Sequence, residues 1–228
     1  MKRSMFKKSL SLIIPAHNAE HIIEKSISEY YNIFSNLDNF EIIVVCNACS
    51  DNTVELVKNL MDKYPINMLE IPHRGKGNAL IRGFRIAQYD LIGFLDVDNP
   101  FDLDKILKMV LSLEKFDIAI ATKYLKGSFK GTKGKRDSQV RRIIAIGGQL
   151  FSRFFFNLKV RDTQAGAKFF KRQVWNSINK NLMCIGFDFD IEFLFKAKKK
   201  NFSIIEFYTP LTKYEKFSTV RIKYLAGM

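Results

Sequence analysis

The sequence predicts an α/β fold with a mainly parallel sheet, because short apolar runs alternate with segments of helical spacing up to residue 122. Strands that alternate with helices of about ten to fifteen residues are typical of βαβ units, whose right-handed crossovers place helices on both faces of a sheet. The predicted strands are 11–14, 41–45, 68–71, 91–95 and 118–122. The helices predicted between them are 20–34, 51–63, 76–88 and 103–113.

The helices rest on apolar side chains spaced three or four residues apart, whereas the strands are short uninterrupted apolar runs bounded by polar residues. The apolar positions of the first three helices are Ile22, Ile23, Ile27, Tyr30 and Tyr31, then Val54, Leu56, Val57, Leu60 and Met61, then Ala79, Leu80, Phe84 and Ala87.

The regular alternation stops near Tyr124. A Gly/Lys-rich loop at 127–134 precedes a long apolar helix from about 140 to 156. A short segment at 167–170 follows, and the elements predicted after it are helices at 173–179 and 187–199 and a strand at 203–208. We interpret this half as a C-terminal elaboration of the same sheet that covers one end of it, within a single domain spanning residues 1–228.

Composition narrows the class of protein. The 228 residues are 47% hydrophobic, which suffices for one sizeable core. No apolar run approaches the roughly 18–20 residues that cross a bilayer, and the basic N-terminus lacks the apolar stretch of a signal peptide. Three cysteines argue against a disulfide framework. We therefore expect a soluble chain in the cytoplasm.

The net charge is +14, and the basic residues are unevenly distributed. One cluster favours an anionic partner such as a phosphate, an anionic lipid or a nucleic acid, and a solvated basic surface is the alternative. No recognised nucleic-acid-binding motif is present. The cluster comprises Lys123, Lys126, Lys130, Lys133, Lys135, Arg136, Arg141 and Arg142.

Cys46 and Cys49 form a Cys-x-x-Cys pattern, and His17 and His21 lie four residues apart. These four side chains would suit a zinc site if the first two strands are neighbours. The alternative is that the two cysteines are simply small residues packed in a tight turn between a strand and a helix.

Polar segments follow the first four strands at 15–18, 46–51, 74–77 and 96–99. In open α/β sheets ligands bind at the carboxyl ends of the strands, and the N–H groups of the helices that start there favour phosphate. Asp96 and Asp98 directly follow the apolar run 91–95. Two adjacent carboxylates suit Mg²⁺ or Mn²⁺, which complete their coordination with water and phosphate oxygens. Capping of the strand end is the alternative.

Together these segments resemble the family 2 nucleotide-sugar glycosyltransferases over roughly residues 10–208. Residues 15–20 (Pro-Ala-His-Asn-Ala-Glu) are similar to the family's Pro-Ala-Tyr-Asn-Glu-Glu. Residues 44–53 resemble its Val-Val-Asp-Asp-Gly-Ser-x-Asp-x-Thr segment, and residues 74–80 its Gly-Lys-Gly-x-Ala turn. Asp96-Val97-Asp98 lies at its metal motif.

Three later segments resemble the dolichyl- or polyprenyl-phosphate hexose synthases within that family. Residues 121–124 are similar to Gly-Ser-Arg-Tyr, residues 162–170 to Asp-Thr-Gln-Cys-Gly-Phe-Lys-x-Phe, and residues 186–192 to a Phe-Asp-x-Glu segment. The chain departs from the pattern at Cys46 and Asn47, where the family has paired aspartates, and at Lys123, where it has an arginine.

The resemblance implies the GT-A fold, a Rossmann-like sheet flanked by helices, with a nucleotide-sugar half at about 8–123 and an acceptor half at about 124–228. It also implies roles for particular residues. The nucleotide-binding set is Pro15, Ala16, Asn18, Glu20, Asn47, Asp51, Lys76 and Asp96. Asp96 and Asp98 are the metal residues, and Asp98, Asp190 and Glu192 the catalytic ones. Lys123, Arg141 and Arg142 would grip an acceptor phosphate, and Asp162, Gln164 and Gly166 would form a loop near the sugar.

Structural alternatives stay open for several of these residues. Asn18 and Asp51 also suit helix capping, and Lys76 also suits a plain turn between two glycines, whose lack of a side chain lets backbone and ligand approach. Asp190 and Glu192 lie two residues apart, so one helix cannot direct both to one point.

The predicted activity is a metal-dependent, inverting transfer of a hexose from UDP- or GDP-hexose to a polyprenyl phosphate. A phosphate, with a second pKa near 6, arrives already nucleophilic and needs only positive charge to position it, whereas a sugar hydroxyl needs a base. The alternatives are a hydroxyl acceptor on a glycan or protein and a non-enzymatic nucleic-acid binder. Contact with an anionic membrane at its cytoplasmic face is also expected, and Phe151, Phe154, Phe155 and Phe156 either lie against lipid or pack in the core.

Overall fold

The structure, a computed structural model, describes residues 8–124, 160–186 and 188–209. Its strands are β1 (Ser9–Ala16), β2 (Asn39–Asn47), β3 (Ile66–Ile71), β4 (Leu91–Leu95), β5 (Ile118–Thr122), β6 (Ala167–Lys171) and β7 (Ile204–Tyr208). The α-helices in this part of the chain are α1 (Ile23–Phe34), α2 (Thr53–Leu60), α3 (Lys76–Ile86), α4 (Leu103–Ser112), α5 (Arg172–Ile178) and α6 (Phe189–Lys199).

All seven strands form one sheet in the order β3-β2-β1-β4-β6-β5-β7. β1 pairs in parallel with β2 and β4, β2 with β3, and β5 with β7. Every residue of β4 and β5 is buried, as expected for strands covered by helices on both faces. The α/β prediction is confirmed, and β4 and β5 have the predicted bounds.

β6 corrects the expectation that the second half only covers one end of the sheet. It lies inside the sheet, antiparallel to both β4 and β5, with Ala167 opposite Leu95. The chain enters β6 at the carboxyl ends of the parallel strands, so it can only run back against them. The Asp96 N–H donates to the Gly166 carbonyl at 2.9 Å, which places the start of β6 beside the end of β4.

Aromatic packing fixes the later elements on this sheet. The ring of Phe84, on α3, lies 5.1 Å from Phe170, 5.2 Å from Trp175 and 6.2 Å from Phe189, measured between ring centroids. These contacts join α3 to β6, α5 and α6, and edge-on and tilted ring pairs add to the stabilisation from burial. The first turn of α6 is therefore held against α3.

Three helices begin later than their sequence pattern predicts, and α6 does so by two residues, at Phe189. α1 begins at Ile23 and α2 at Thr53, and α2 ends at Leu60. The residues before α1 and α2 form hydrogen bonds between the two loops. The Glu20 N–H donates to the Asp51 carboxylate, and the Asn52 N–H donates to the Glu20 carboxylate. These bonds replace the first helical turn.

The predicted loop at 127–134 and helix at 140–156 lie outside the described residues, as do the four phenylalanines assigned to that helix. The division into a nucleotide-sugar half and an acceptor half stays a prediction. Within the part of the chain that the structure describes, no helix is both long and apolar enough to cross a bilayer.

Candidate functional site

Asn47 connects the loops that follow the first three strands. Its side chain is buried, its Nδ2 donates to the Ala16 carbonyl at 2.9 Å, and its Oδ1 accepts from the Gly75 N–H at 3.3 Å. Its own carbonyl lies 2.8 Å from Nδ1 of His17. Asn47 therefore aligns three loops through hydrogen bonds. The contact of Asn47 with a nucleotide base stays a prediction.

Asn18, Glu20 and Asp51 bond to one another's loops in the same way. Asn18 adopts a left-handed φ of 49°, and its Oδ1 accepts from the Ser50 N–H at 2.8 Å. Hydrogen bonds from Thr53 and Glu20 outweigh burial and lower the pKa of Asp51. Pro15 and Ala16 form the end of β1 beside them. The predicted nucleotide-binding residues therefore lie together at one edge of the sheet.

Several N–H groups at the helix N-termini, which were expected to face a phosphate, form hydrogen bonds within the chain. At α3, the N–H groups of Gly77 and Asn78 donate to the carbonyls of Gly186 and Ile185 at 3.2 and 2.9 Å. At α4, the Asp102 side chain accepts from Asp104 and Lys105. At α2 the Thr53 N–H donates to the Asp51 carboxylate, and at α1 the Ile23 N–H donates to the Ala19 carbonyl.

The glycines on either side of Lys76 have a packing role that the sequence did not predict. A Cβ at Gly77 would lie 2.8 Å from the Ile185 carbonyl carbon, and one at Gly75 would lie 2.8 Å from its oxygen. Gly75 also has a φ of +156°. The glycines allow the backbone at residues 185–186 to approach α3. The turn directs the Lys76 side chain into the site.

Lys76 meets the first carboxylate of the Asp-x-Asp pair. Its Nζ lies 2.8 Å from Oδ1 and 3.1 Å from Oδ2 of Asp96, and 4.0 Å from Oδ2 of Asp190. Burial lowers the pKa of Lys76, but the charges of Asp96 and Asp190 outweigh it and raise the pKa overall. Asp98, two residues further on, is exposed.

Asp190 and Glu192 point apart, as their spacing requires. Asp190 is buried, and its Oδ1 accepts from Lys168 Nζ at 2.7 Å. Glu192 accepts from the N–H groups of Met183 and Cys184 and from Lys196, and these hydrogen bonds outweigh burial and lower its pKa. Both carboxylates are engaged with basic or N–H groups, and a catalytic role for either stays a prediction.

The predicted sugar loop lies beside the same edge. Gly166 contacts Asp96, Gln164 is exposed and Asp162 is buried. Burial raises the pKa of Asp162, and the charges of Lys123 and Lys168 oppose that rise. Lys123 therefore lies near this loop. Arg141 and Arg142, the other residues predicted to hold an acceptor phosphate, lie outside the described residues.

The cysteines do not form the zinc site considered as an alternative. Over residues 8–124, 160–186 and 188–209, no group of three or more His, Cys, Asp or Glu side chains is placed to hold a metal ion. Cys46 is buried and hydrogen-bonds with Cys49, whose Sγ lies 3.6 Å from the Ala16 carbonyl oxygen. Both thiols are free and pack between the loops after β1 and β2.

We expect Cys49 to be alkylated before Cys184. The hydrogen bond from Cys46 lowers the pKa of Cys49 to about 7, whereas burial and nearby acidic groups raise the pKa of Cys184 to about 12. Because the thiolate is the nucleophile, the rate at Cys49 should rise as the pH passes through 7 and then level off. Iodoacetamide labelling followed by mass spectrometry measures it. Cys49→Ser should remove the fast phase and Cys184→Ser should retain it, and faster labelling of Cys184 would contradict the assignment.

Two residues that support the site were missed by sequence reasoning. Tyr30 donates its hydroxyl to the Asp96 carbonyl at 2.6 Å, and burial, followed by the charges of Asp96 and Asp98, raises its pKa. The sequence shows Tyr30 only as an apolar position of a helix. Lys168 is 1% exposed inside β6. The sequence does contain a signal for Lys168, because a lysine that is buried within the run Ala-Lys-Phe-Phe needs a buried partner.

The donor set at the end of β4 fits a Mg²⁺ or Mn²⁺ ion bound together with a ligand. Such an ion needs one or two carboxylates and takes its remaining oxygens from phosphates and water. Asp98 is exposed and carries the site's second carboxylate, while Asp96 shares its oxygens with Lys76. The arrangement suits direct binding through Asp98, with Asp96 beside it.

Comparison with solved structures shows the fold. A glucosyl-3-phosphoglycerate synthase from Mycobacterium tuberculosis, solved with Mg²⁺ and uridine diphosphate, superposes with a TM-score of 0.71 at 16% identity. The match covers 95% of this chain and 74% of that one. A mannosyltransferase from Pyrobaculum calidifontis, solved with GDP-mannose and Mn²⁺, gives a TM-score of 0.62 at 18% identity, over 91% of this chain and 56% of that one. Both confirm the predicted GT-A fold.

Sequence comparison identifies the family. A dolichyl-phosphate beta-glucosyltransferase from Dictyostelium discoideum is 26% identical over 96% of this chain and 76% of its own length. A dolichol-phosphate mannosyltransferase from Pyrococcus furiosus is 30% identical over 83% of this chain, which spans about half (53%) of that relative. Residues 11–178 match the family model for glycosyl transferase family 2. The chain therefore belongs to glycosyl transferase family 2 and is a nucleotide-sugar-dependent glycosyltransferase.

Proposed function

We propose that the chain transfers a hexose, with inversion, from UDP- or GDP-hexose to a polyprenyl phosphate. One observation carries the donor half of this proposal. At the carboxyl edge of the sheet, Lys76 at the start of α3 lies beside Asp96 and near Asp98, which both follow β4. The names of the relatives, which include a dolichyl-phosphate glucosyltransferase and a dolichol-phosphate mannosyltransferase, support the acceptor half.

Four side chains at this edge of the sheet serve the donor in this proposal. Lys76 would offset the negative charge of the donor diphosphate, and Asn47 keeps the three surrounding loops in register. Asp98, with Asp96, would hold Mg²⁺ or Mn²⁺. When bound, such an ion is a Lewis acid that neutralises charge on the nucleoside diphosphate as it leaves.

The transfer needs no base if the acceptor is a phosphate. With a second pKa near 6, a phosphate monoester is already ionised at neutral pH. One of its oxygens attacks the anomeric carbon from the side opposite the diphosphate. A new carbon–oxygen bond forms, the bond to the diphosphate breaks, and its electron pair leaves on the diphosphate oxygen. Asp190 and Glu192, already bonded to Lys168 and Lys196, are not required as proton acceptors.

In this proposal, basic residues lie where the lipid phosphate binds. Lys123 lies at the end of β5, close enough to Asp162 for its charge to act on that carboxyl group. Together with Arg141 and Arg142 it would position the phosphate. The same cluster would bring the chain to the cytoplasmic face of an anionic membrane, where each basic residue contributes about 1 kcal/mol.

The function is tested by transfer of labelled hexose from UDP- and GDP-hexoses to a short polyprenyl phosphate, with Mg²⁺ or Mn²⁺ and with chelator. Label that enters the organic phase only with metal, in a product of inverted anomeric configuration, supports the proposal. Metal-dependent donor hydrolysis without a lipid product would move the acceptor to a hydroxyl. A retained configuration would overturn the in-line step.

Lys123→Ala should lower kcat/KM for the polyprenyl phosphate by about 10–100-fold, because a hydrogen bond to a charged group contributes roughly 1.5–3 kcal/mol. Donor affinity should not change, since the side chain lies on the acceptor side. Transfer rates and calorimetric UDP and GDP titrations measure both effects. Lys115→Ala removes an exposed lysine elsewhere and serves as the control. Equal losses in the two variants would argue for a merely solvated basic surface at Lys123.

A further inference from the structure

Lys168 is a buried cation inside the sheet. It is 1% exposed on β6, and its Nζ donates to Asp190 Oδ1 at 2.7 Å and to the Ala165 carbonyl at 2.9 Å. Asp190 is 2% exposed. Removing two charges from water is costly, and apolar residues of similar volume often stabilise a protein as well as a buried ion pair does. Stability alone therefore gives little reason for this pair.

The second oxygen of Asp190 connects the pair to the donor site. Oδ2 lies 4.0 Å from Nζ of Lys76, which in turn lies 2.8 Å from Oδ1 of Asp96. Both ammonium groups lie over the ring of Phe94, at 5.0 Å for Lys76 and 5.3 Å for Lys168. Charges thus alternate from β6 through α6 and α3 to the end of β4.

This arrangement restricts where the Lys76 ammonium can lie. The chain of a lysine is flexible, but here Phe94 lies beneath the charged group and carboxylates flank it on two sides. Asp190 can hold the Lys76 ammonium group from its side only if the Asp190 carboxylate is itself fixed. Lys168 fixes it with a short charge-assisted hydrogen bond, and the Ala165 carbonyl fixes Lys168.

We propose that Lys168 is a positioning residue that acts through Asp190 to hold Lys76 in place for the donor diphosphate. The inference rests on the proposed function, in which Lys76 meets that diphosphate. It assigns Asp190 to the support of a cation, an alternative to the catalytic role that its motif implies.

The test compares nucleoside diphosphate binding and stability in the full chain. Lys168→Met alone would leave a buried, unpaired carboxylate and risks unfolding. The double variant Lys168→Met/Asp190→Asn removes both charges and should lower the melting temperature much less than Lys168→Met alone. With Mn²⁺ present, its affinity for UDP or GDP should fall by about 10-fold, the lower end of what the loss of a supporting partner costs. Lys171→Met breaks an ion pair with Asp117 on the same strand and should leave affinity unchanged.

A mutant cycle shows whether the effect passes through Lys76. In a Lys76→Met background the double variant should cause no further loss of affinity, because contacting residues in one network are not additive. A double variant that binds UDP and GDP as tightly as the unchanged chain would overturn the inference, and so would a full additional loss in the Lys76→Met background. If the unchanged chain binds neither UDP nor GDP, the proposed function fails and the inference fails with it.

Discussion

Asp98→Asn should reduce hexose transfer by about 10²–10³-fold, the loss expected when one preorganised electrostatic contact to a developing charge is removed. Asparagine keeps the shape of the side chain and removes its charge. Asp98 is exposed just beyond β4, so the fold should not depend on that charge. The measurement is kcat/KM for the nucleotide sugar at several Mn²⁺ concentrations, together with the melting temperature.

The result separates metal binding from strand-end capping, the alternative that the sequence left open. Under metal binding, Asp98→Asn lowers the affinity for UDP or GDP only when Mn²⁺ is present. Under capping, it lowers the melting temperature and leaves that affinity unchanged. Asp104→Asn is the matched control, because Asp104 is an exposed acidic residue in the first turn of α4. Transfer by Asp98→Asn within threefold of the unchanged chain would remove Asp98 from the metal site.

The sequence was most informative where a structural signal is local. β4 and β5 are uninterrupted apolar runs bounded by polar residues, and both have the predicted bounds. The parallel order follows from helical crossovers between consecutive strands. The clustering of polar loops at one edge follows in turn, because parallel strands all end on the same side.

The position of β6 could not be predicted in this way. Its pairing places Leu91 opposite Lys171 and Leu95 opposite Ala167, contacts between residues about seventy to eighty positions apart. Nothing in the five residues Ala-Lys-Phe-Phe-Lys states which strands they join or in which direction they run. That insertion brings Lys168, which the sequence did not single out, to its partner Asp190 beside the site.

Side-chain partners were also hidden from the sequence. Asn18, Asn47 and Asp51 were predicted to contact a nucleotide because the family resemblance implies that role. The structure shows that much of their hydrogen-bonding capacity joins the loops to one another. Sequence spacing places such residues at an edge, but partners that come from other loops are set by tertiary packing.

Gly166→Ala should lower transfer by about 10²-fold, a loss of the size that a 1 Å misplacement near a reacting centre produces. A Cβ at this position would lie 2.2 Å from Oδ2 and 2.7 Å from Cγ of Asp96, so the carboxylate must rotate. Rotation moves it away from Lys76, now 2.8 Å away. The folding cost should stay at about 1–3 kcal/mol, as for other cases of overpacking. Transfer rates and thermal melting measure the two effects.

The control for this variant is Gly186→Ala, whose Cβ would lie 2.9 Å from Asp188 Oδ1, the end of an exposed side chain that can turn away. Its activity should fall much less. Asp96→Ala supplies the second check, because it removes Oδ2 and Cγ, the two atoms nearest to the new methyl group. In that background Gly166→Ala should cost almost nothing further in melting temperature or in affinity for UDP with Mn²⁺. An equal cost in both backgrounds would show that the glycine is needed for the backbone of its own loop and not for the position of Asp96.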